Sequence, residues 1–492
     1  MSAAPALSLA WILATPLAAT VLIALNAKRP RLGEVIGVIA ALLTFAQVAA
    51  LTPEVLAGGR PTLVMFSVMD AIPFVFTLDP LGLLFALVAA ILWIPAGLYS
   101  IGYLRANHEA HQPRFHAYFA LAIGCALGIA LAGNLFTLFL FYEALTLSTY
   151  PLITHQGTAR AVRAGRIYMG MLLVPSIGLL LVAIILTHNL AGRLDFQPGG
   201  ILAGRVDGPL VGLLLALFVF GTAKAALMPF HRWLPAAMVA PTPVSALLHA
   251  VAVVKAGVFT IAKVVISIFG IDLLAASSWT GWLTWVAGIS VILASVIALR
   301  QDNLKRRLAY STISQLAYVV MALSLFSPLG VLAAGLHIVV HAFGKITLFF
   351  AAGAIHTATH KDSVSQFAGI GRAMPWTMGA FAVASLSMIG LPPTAGFLSK
   401  WGIFSAAFQG QSWGVVAVLI ASTVLNAAYF LPIVHTAFLK PPPSEAGAGA
   451  KIAEAPPVMV AALCFTAFGT VALFFLPGLP FALARQLAGV GP

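Results

Sequence analysis

The sequence predicts an all-α protein that crosses a membrane about fourteen times. Of its 492 residues, 61% are hydrophobic and only 8% are charged, and the mean hydropathy is +1.03. Soluble domains carry about 25% charged residues, so a water-soluble protein is excluded. The apolar residues also fall in runs, and an α-helix needs about 20 of them to cross a bilayer. Fourteen such helices use about 280 residues, which leaves room for short loops and no soluble domain.

Fourteen apolar runs define the predicted spans. They lie at roughly 6–27, 35–52, 78–104, 117–132, 134–153, 167–189, 208–228, 243–270, 279–299, 308–327, 329–356, 375–392, 413–439 and 456–478. The first run precedes the first basic residue, Lys28, whereas a signal peptide places its positive charge before the apolar stretch. We therefore expect a retained N-terminal helix. The segment 441–450, rich in Pro, Gly and Ala, has the composition of a linker.

Basic residues are distributed unequally between the two sides of the membrane. Loops after odd-numbered spans carry 17 of the 26 lysines and arginines, and the opposite side carries only Arg60, Arg193, Arg205 and Arg485. The other five lie within or beside spans and are Lys224, Lys255, Lys263, Lys345 and Lys400. Cytoplasmic loops are enriched in Lys and Arg, so we expect both termini to face outward. The same rule explains the net charge of +13. The basic residues are scattered in short loops and form no basic face suited to nucleic acid.

Prolines interrupt two of the predicted spans. The seventh contains GTAKAALMPFHRWLPAAM (221–238) and the twelfth contains SMIGLPPTAGFLSKWGIF (387–404). Inside a membrane such breaks persist only where protein or water satisfies the freed backbone groups. The breaks lie five spans apart, and interrupted helices at matching positions indicate an inverted repeat. This divides the chain into three N-terminal helices at 1–116, a first five-helix repeat at 117–270, a second at 271–440, and a linker with the last helix at 441–492.

Glu143 is the acidic residue that lies near the middle of a span, while the other twelve lie in loops or at helix ends. Its run, NLFTLFLFYEALTLSTYPLI (134–153), contains no other charge. A charge at the centre of a spanning helix costs about 2.5–3.5 kcal/mol, so the carboxylate should face a partner or water. Ionisable residues in this position mark ion or proton pathways. The alternative is a protonated carboxyl group that satisfies helix packing.

Three lysines occupy comparable positions in the membrane. Lys224 precedes the break in the seventh span, Lys400 follows the break in the twelfth, and Lys255 lies mid-span in HAVAVVKAGVFTIAKVV (249–265). Loss of hydration disfavours the charged form of a lysine and a nearby carboxylate favours it, so such a lysine can exchange a proton. The alternative for Lys224 and Lys400 is an ammonium group that caps the carbonyl groups freed by the break.

Two further basic residues share a span with Lys255. His249 lies six residues before it and is interpreted as a proton carrier, with a hydrogen-bonded core histidine as the alternative. Lys263 lies eight residues after it, near enough to the end of the span to reach the membrane interface. It is either an interface anchor or a group at the outer end of the pathway.

His337, His341 and Lys345 form the sharpest pattern, in HIVVHAFGKITLFF (337–350). Their i, i+4, i+8 spacing places all three on one helix face. A neutral histidine donates with one nitrogen and accepts with the other, so it can pass protons in either direction. A zinc site of the HEXXH type would need Glu where Ile338 stands, and Lys345 would repel a cation. The remaining alternative is a packing face.

Together, these titratable groups favour proton transfer over solute binding. They are spread over several spans, whereas a carrier usually gathers its polar groups around one site at the midplane. The two cysteines, Cys125 and Cys464, are far apart and cannot ligate an iron–sulfur cluster or form a zinc motif. We therefore expect this chain to bind no metal and no redox cofactor.

Three segments resemble the antiporter-like subunits shared by respiratory complex I, membrane-bound hydrogenases and Mrp-type cation/proton antiporters. They are GTAKAALMPFHRWLPAAMVAPTPVSALLHAVAVVKAGVF (221–259), HAFGKITLFFAAGAI (341–355) and GLPPTAGFLSK (390–400). The resemblance implies a fourteen-helix fold with two inverted five-helix repeats. It also implies that Glu143 and Lys224 interact and that Lys255 is the central lysine. By the same resemblance, His337, His341 and Lys345 form a connecting relay, and Lys400 is the terminal site.

Lys255 together with HAFGKITLFF looks most like the Mrp D-type subunit. The chain ends soon after its last span, which argues against the longest complex I member, because that subunit carries a further lateral helix. The sequence hypothesis is a proton-translocating subunit of an Mrp-type Na⁺/H⁺ antiporter, bound to other integral membrane subunits in the cell (inner) membrane. Its ligands would be protons, with Na⁺ as the candidate coupling ion. The alternatives are a proton-pumping subunit of a redox-driven complex and a membrane scaffold that transports nothing.

Overall fold

The computed structural model describes residues 3–69, 72–441 and 453–490, which are mostly helical. In chain order the α-helices are α1 (Ala3–Leu25), α2 (Pro30–Ala50), α3 (Thr52–Leu56), α4 (Pro80–Ala106), α5 (Gln112–Ala130), α6 (Leu135–Ile153), α7 (Ala159–Pro175), α8 (Leu181–Ala191), α9 (Gly208–Gly221), α10 (Trp233–Ala236), α11 (Thr242–Ala246), α12 (Val253–Lys263), α13 (Ile271–Ala276), α14 (Trp282–Leu299), α15 (Leu304–Leu323), α16 (Pro328–Thr359), α17 (Ile370–Ala373), α18 (Pro375–Ile389), α19 (Ala395–Gln409), α20 (Trp413–Leu439), α21 (Pro457–Phe475) and α22 (Gly478–Leu487). Between α3 and α4, β1 (Thr62–Met69) and β2 (Ile72–Thr77) pair as an antiparallel hairpin. Most of the predicted linker at 441–450 lies outside the described residues.

The prediction of an all-helical, multi-pass membrane protein is confirmed. Within the described ranges, eleven helical segments are long and apolar enough to cross a membrane, and each coincides with a predicted span. The count of fourteen is not confirmed. The seventh and twelfth predicted spans correspond to the shorter apolar helices α9 and α18, and the tenth, α15, carries three basic residues near its start.

Both predicted helix breaks are present. α9 ends at Gly221 and is followed by a 3₁₀ turn at Ala223–Ala225 and by irregular chain as far as α10. α18 ends at Ile389, and α19 begins at Ala395, beyond the two adjacent prolines. The division of the chain into two inverted repeats around these breaks stays a prediction.

The helix that carries Lys255 is packed at the centre of the protein. Within Thr242–Phe269, 94% of the most apolar 18-residue stretch is buried inside the protein. π-Helical turns lie on both sides of α12. Gly257 of α12 lies against the turn that follows α9. A Cβ atom at Gly257 would come within 2.1 Å of the backbone nitrogen of Ala225, so only glycine allows this approach. This close contact holds Lys224 beside α12.

α16 is the most buried of the long helices. Every residue in its most apolar 18-residue stretch is buried, whereas the corresponding stretches of α1 and of the α2–α3 segment are 33% and 28% buried. Polar side chains on α12 and α16 are therefore removed from both lipid and bulk water. Such groups need partners inside the protein, and this requirement defines where a functional site can lie.

Candidate functional site

Glu143 and Lys224 lie side by side without forming an ion pair. Glu143 is half-buried on α6, and Lys224 and Ser176 are the polar side chains that act on its carboxylate. Neither carboxylate oxygen completes a hydrogen bond within the described residues. The Lys224 ammonium group instead donates to the Tyr142 carbonyl at 2.7 Å and to Thr146 Oγ1 at 2.5 Å. The structure thus brings the predicted pair together, with the carboxylate left free of direct bonds.

The irregular chain after α9 is held by side chains that satisfy its backbone. Trp233 Nε1 donates to the Ala223 carbonyl at 3.0 Å, and the Lys224 backbone N–H donates to the Tyr142 hydroxyl at 3.1 Å. The Lys224 ammonium group also lies 3.3 Å from the centre of the Tyr142 ring. The partners of the Lys224 ammonium group therefore belong to α6. The structure does not contain the alternative contact, in which Lys224 would cap carbonyl groups of the broken helix.

Lys255 and His341 meet across the interface between α12 and α16. The Lys255 ammonium group is hydrogen-bonded to His341 Nδ1, and both side chains are fully buried. His341 Nε2 has no hydrogen-bond partner within the described residues. The ring of His249 packs on Phe349 with 4.6 Å between the ring centroids. Neither nitrogen of His249 has a hydrogen-bond partner among the described residues. The hydrogen-bonded core histidine proposed as the alternative for His249 is therefore not what the structure contains.

The three residues on α16 point to different neighbours. His337 Nδ1 lies 2.9 Å from Ser399 Oγ on α19, and its ring centroid is 6.1 Å from that of His341. Lys345 donates to Ser311 Oγ on α15 at 2.8 Å. The shared spacing thus yields three separate contacts, and no direct hydrogen bond joins the three side chains among the described residues.

Lys400 caps the break that precedes it. Its ammonium group donates to the Ile389 carbonyl, the last of α18, at 2.9 Å. It also lies 4.8 Å from the centre of the Tyr318 ring. This is the contact that the capping interpretation predicts. A proton-carrying role for Lys400 depends instead on its position directly after Ser399, which is bonded to His337.

Neutral polar side chains complete the site, and they are absent from the residues predicted from the sequence. Thr146 Oγ1 accepts from the Lys224 ammonium group and the Tyr142 hydroxyl from its backbone N–H, Ser311 binds Lys345 and Ser399 binds His337. The position of Thr146 was a usable signal, because it lies three residues after Glu143 and i, i+3 positions share a helix face. Within the described ranges no group of three or more His, Cys, Asp or Glu side chains is placed to hold a metal ion.

The sequence itself matches a known family. Residues 132–426 match the family described as "NADH:quinone oxidoreductase/Mrp antiporter, TM". That stretch is more than half of the chain and includes all eight candidate residues from Glu143 to Lys400. The chain belongs to this family.

Curated relatives within the family come from several kinds of complex. NADH-quinone oxidoreductase subunit N of Desulforudis audaxviator is 36% identical over 74% of this chain and 72% of its own length. A probable K⁺/H⁺ antiporter subunit of Rhizobium meliloti is 34% identical over 82% of this chain but only 41% of its own length. Hydrogenase-4 component B of Escherichia coli is 31% identical over 70% of this chain and 53% of its own length. The chain thus spans less than half of the antiporter relative and about half of the hydrogenase component.

Solved structures share the family fold over the whole chain. A chain of the Mrp complex from Dietzia sp. DQ12-45-1b gives a TM-score of 0.86 at 23% identity and covers 99% of this chain and 97% of that one. A chain of an archaeal membrane-bound sulfane sulfur reductase gives a TM-score of 0.83 at 27% identity and covers 98% of this chain and 96% of that one. At these identities the first match shows the fold alone.

Lys263 forms a buried ion pair at the far end of α12 from Lys255. Its ammonium group lies 2.5 Å from Asp79 Oδ2, and the two side chains are 2% and 15% exposed. The second Asp79 oxygen accepts the backbone N–H of Gly82 at 2.8 Å and caps α4. Lys263 therefore turns inward to Asp79, at the end of the spanning helix α4.

We expect Lys263→Ala to destabilise this family member by about 3–5 kcal/mol, because it leaves a buried carboxylate without its partner. The measurement is thermal unfolding of the purified protein in detergent, followed by tryptophan fluorescence. The double variant Asp79→Asn, Lys263→Met removes both charges and should recover most of the loss. An unchanged unfolding temperature for Lys263→Ala would show that the pair does not stabilise the fold.

Proposed function

We propose that this chain is the proton-translocating subunit of a multi-subunit Mrp-type Na⁺/H⁺ antiporter, in the D-type position. The observation that carries the proposal is the buried contact between Lys255 and His341. Both side chains are titratable and fully buried, so a proton on one can pass to the other along their hydrogen bond without entering bulk water.

Proton transfer in this arrangement uses the two nitrogens of each ring in turn. A proton passes from Lys255 Nζ to His341 Nδ1 along their hydrogen bond, and another leaves from Nε2. The 6.1 Å between the ring centroids of His341 and His337 is a gap that one water molecule can bridge. Ser399 then connects His337 to α19, where Lys400 follows it in the chain.

We call the series Glu143, Lys224, Lys255, His341, His337 and Lys400 the proton row, and Glu143 supplies the variable charge at one end of it. Lys224 lies beside it and is held by a neutral carbonyl and a neutral hydroxyl group. Loading or removing a proton at Glu143 therefore changes the nearest negative charge that favours the ammonium form of Lys224. Because the Lys224 ammonium group is held by α6 and not by the carboxylate, Glu143 can change protonation without breaking a hydrogen bond of Lys224.

The second candidate function is a proton-pumping subunit of a redox-driven complex. The relative from NADH-quinone oxidoreductase favours it, since it aligns over 72% of its own length, against 41% for the K⁺/H⁺ antiporter relative. The proton row would be used in the same way and only the driving reaction would differ. In either complex the partners of this chain are other integral membrane subunits.

Affinity purification from the native membrane tests the assignment. For an Mrp-type antiporter we expect small hydrophobic subunits to co-purify, and we expect addition of Na⁺ to dissipate a pH gradient in everted vesicles. Co-purification of cluster-binding subunits, with a pH gradient formed only when an electron donor is added, would replace the antiporter by the redox-driven complex. The vesicles of a strain that lacks the chain are the control for both measurements.

The unequal distribution of basic residues supports an orientation with both termini outside the cytoplasm. Seventeen of the 26 lysines and arginines belong to the loops that this orientation makes cytoplasmic. A cysteine placed at Arg60 should then react with a membrane-impermeant reagent from the outer side and one at Lys361 should not. The reverse pattern would invert the assignment.

A further inference from the structure

A groove separates α7 from α15 on the side proposed to be cytoplasmic. Two adjoining cavities of about 600 and 520 Å³ form it, and they share the lining residues Ile167, Pro235, Ala236 and Arg306. α7 forms one wall, α15 the other, and the chain around α10 forms the floor. None of the proton-carrying residues named above lines either cavity.

The charged lining of the groove is almost entirely basic. Five cationic side chains line it, Arg160, Arg163, Arg232, Lys305 and Arg306, against one acidic side chain, Asp362. Asp362 is paired with His356 at 3.0 Å. Within the described ranges the guanidinium groups of the four arginines have no hydrogen bond or ion pair, whereas Arg105 on the same side binds Glu34. Their positive charge is therefore available to an anionic ligand.

The groove becomes apolar with distance from its basic end. Arg160, Arg163, Ile167 and Met171 of α7 all line it, at i, i+3, i+7 and i+11, so they form one stripe along the helix. At 1.5 Å per residue the stripe extends about 16 Å into the span. On α15, Tyr310 follows Arg306 by four residues and repeats the change from charged to less polar.

We propose that this groove binds one anionic phospholipid, with its phosphodiester group at the arginines and an acyl chain along Ile167 and Met171. Arginine forks match phosphate oxygens in a bidentate geometry and hold them more strongly than neutral donors do. Five positive charges disfavour the groove as a mouth for protons or Na⁺. A free phosphate ion would use only the basic end and leave the apolar stripe unoccupied. The lipid would tie the two walls together, and it is independent of the proton transport proposed above.

Native mass spectrometry of the full chain, purified with its co-purifying subunits and then delipidated, tests the proposal. Phosphatidylglycerol is added, with phosphatidylcholine and inorganic phosphate as parallel probes. We expect one phosphatidylglycerol to be retained per chain, phosphatidylcholine to be lost, and excess phosphate not to displace the lipid. Arg163→Gln with Arg306→Gln should weaken retention by about tenfold, the effect of losing two solvent-accessible charge contacts.

Two further variants separate this site from general attraction to basic surface. Arg29→Gln with Arg31→Gln removes the same charge from exposed positions on the same side outside the groove, and it should retain the lipid. Ile167→Trp keeps every charge and fills the path of the acyl chain, so it should weaken retention. Equal retention by the Arg163/Arg306 variant, or equal loss in the Arg29/Arg31 variant, would overturn the proposal. So would displacement by phosphate, or cross-linking of a co-purifying subunit to a cysteine placed at Met171.

Discussion

Replacing Glu143 by glutamine is expected to abolish proton translocation while the assembly stays intact. The amide has the same shape as the carboxyl group but cannot take up or release a proton. Lys224 is hydrogen-bonded to Tyr142 and Thr146 and not to the carboxylate, so the change breaks no hydrogen bond of this lysine. Groups that transfer protons typically contribute about 10²–10⁴-fold to a rate, and a loss at the lower end of that range would already leave no measurable transport.

The measurement is ion-driven proton transport in everted vesicles at matched membrane levels of parent and variant. Glu54→Gln is the control, because Glu54 lies in the short helix α3 and outside the predicted proton row. It should transport normally. Near-normal transport by Glu143→Gln would remove the carboxylate from the mechanism, and together with a normal Lys224→Met variant it would favour the scaffold interpretation.

The spans were predictable because the bilayer imposes one simple condition on each of them. A spanning helix must be apolar over about 20 residues, and this condition can be read from the sequence without tertiary contacts. The same condition makes Glu143, Lys255 and His341 conspicuous, since each is a costly exception in an apolar run. The β1–β2 hairpin is not predicted by this condition, because TLVMFSVM (62–69) is too short to span the membrane as a helix.

The partners of the candidate residues were beyond the sequence, because they are set by packing between distant segments. His341 meets Lys255 from 86 residues away, and Asp79 meets Lys263 from 184 residues away. Asp79 is also a helix N-cap, which is a sufficient local reason for an aspartate at that position. Ser311 and Ser399 give no sequence signal, since hydroxyl side chains in helices usually bond to their own backbone.

Replacing both His337 and His341 by glutamine is expected to cost little more transport than the worse single change. His341 takes the contact with Lys255, and His337 takes the contact with Ser399. If the two rings pass the same proton in series, either change stops the flow and the second has nothing left to remove. Independent packing roles would instead give losses that multiply, as expected for sites that do not interact. Transport by the two single variants and the double variant, at matched membrane levels, distinguishes the two outcomes.

On the same helix, Lys345→Arg is expected to lose nearly as much transport as Lys345→Met. Arginine keeps the positive charge beside Ser311 but cannot lose its proton in a protein. The site is fully buried, so the larger side chain could act by disturbing the packing instead. Thermal unfolding separates these causes, because an arginine variant that unfolds at the parent temperature and still does not transport has lost only the ability to deprotonate. Full transport by Lys345→Arg, with failure of Lys345→Met, would make Lys345 a fixed positive charge beside the path through His341, His337 and Ser399.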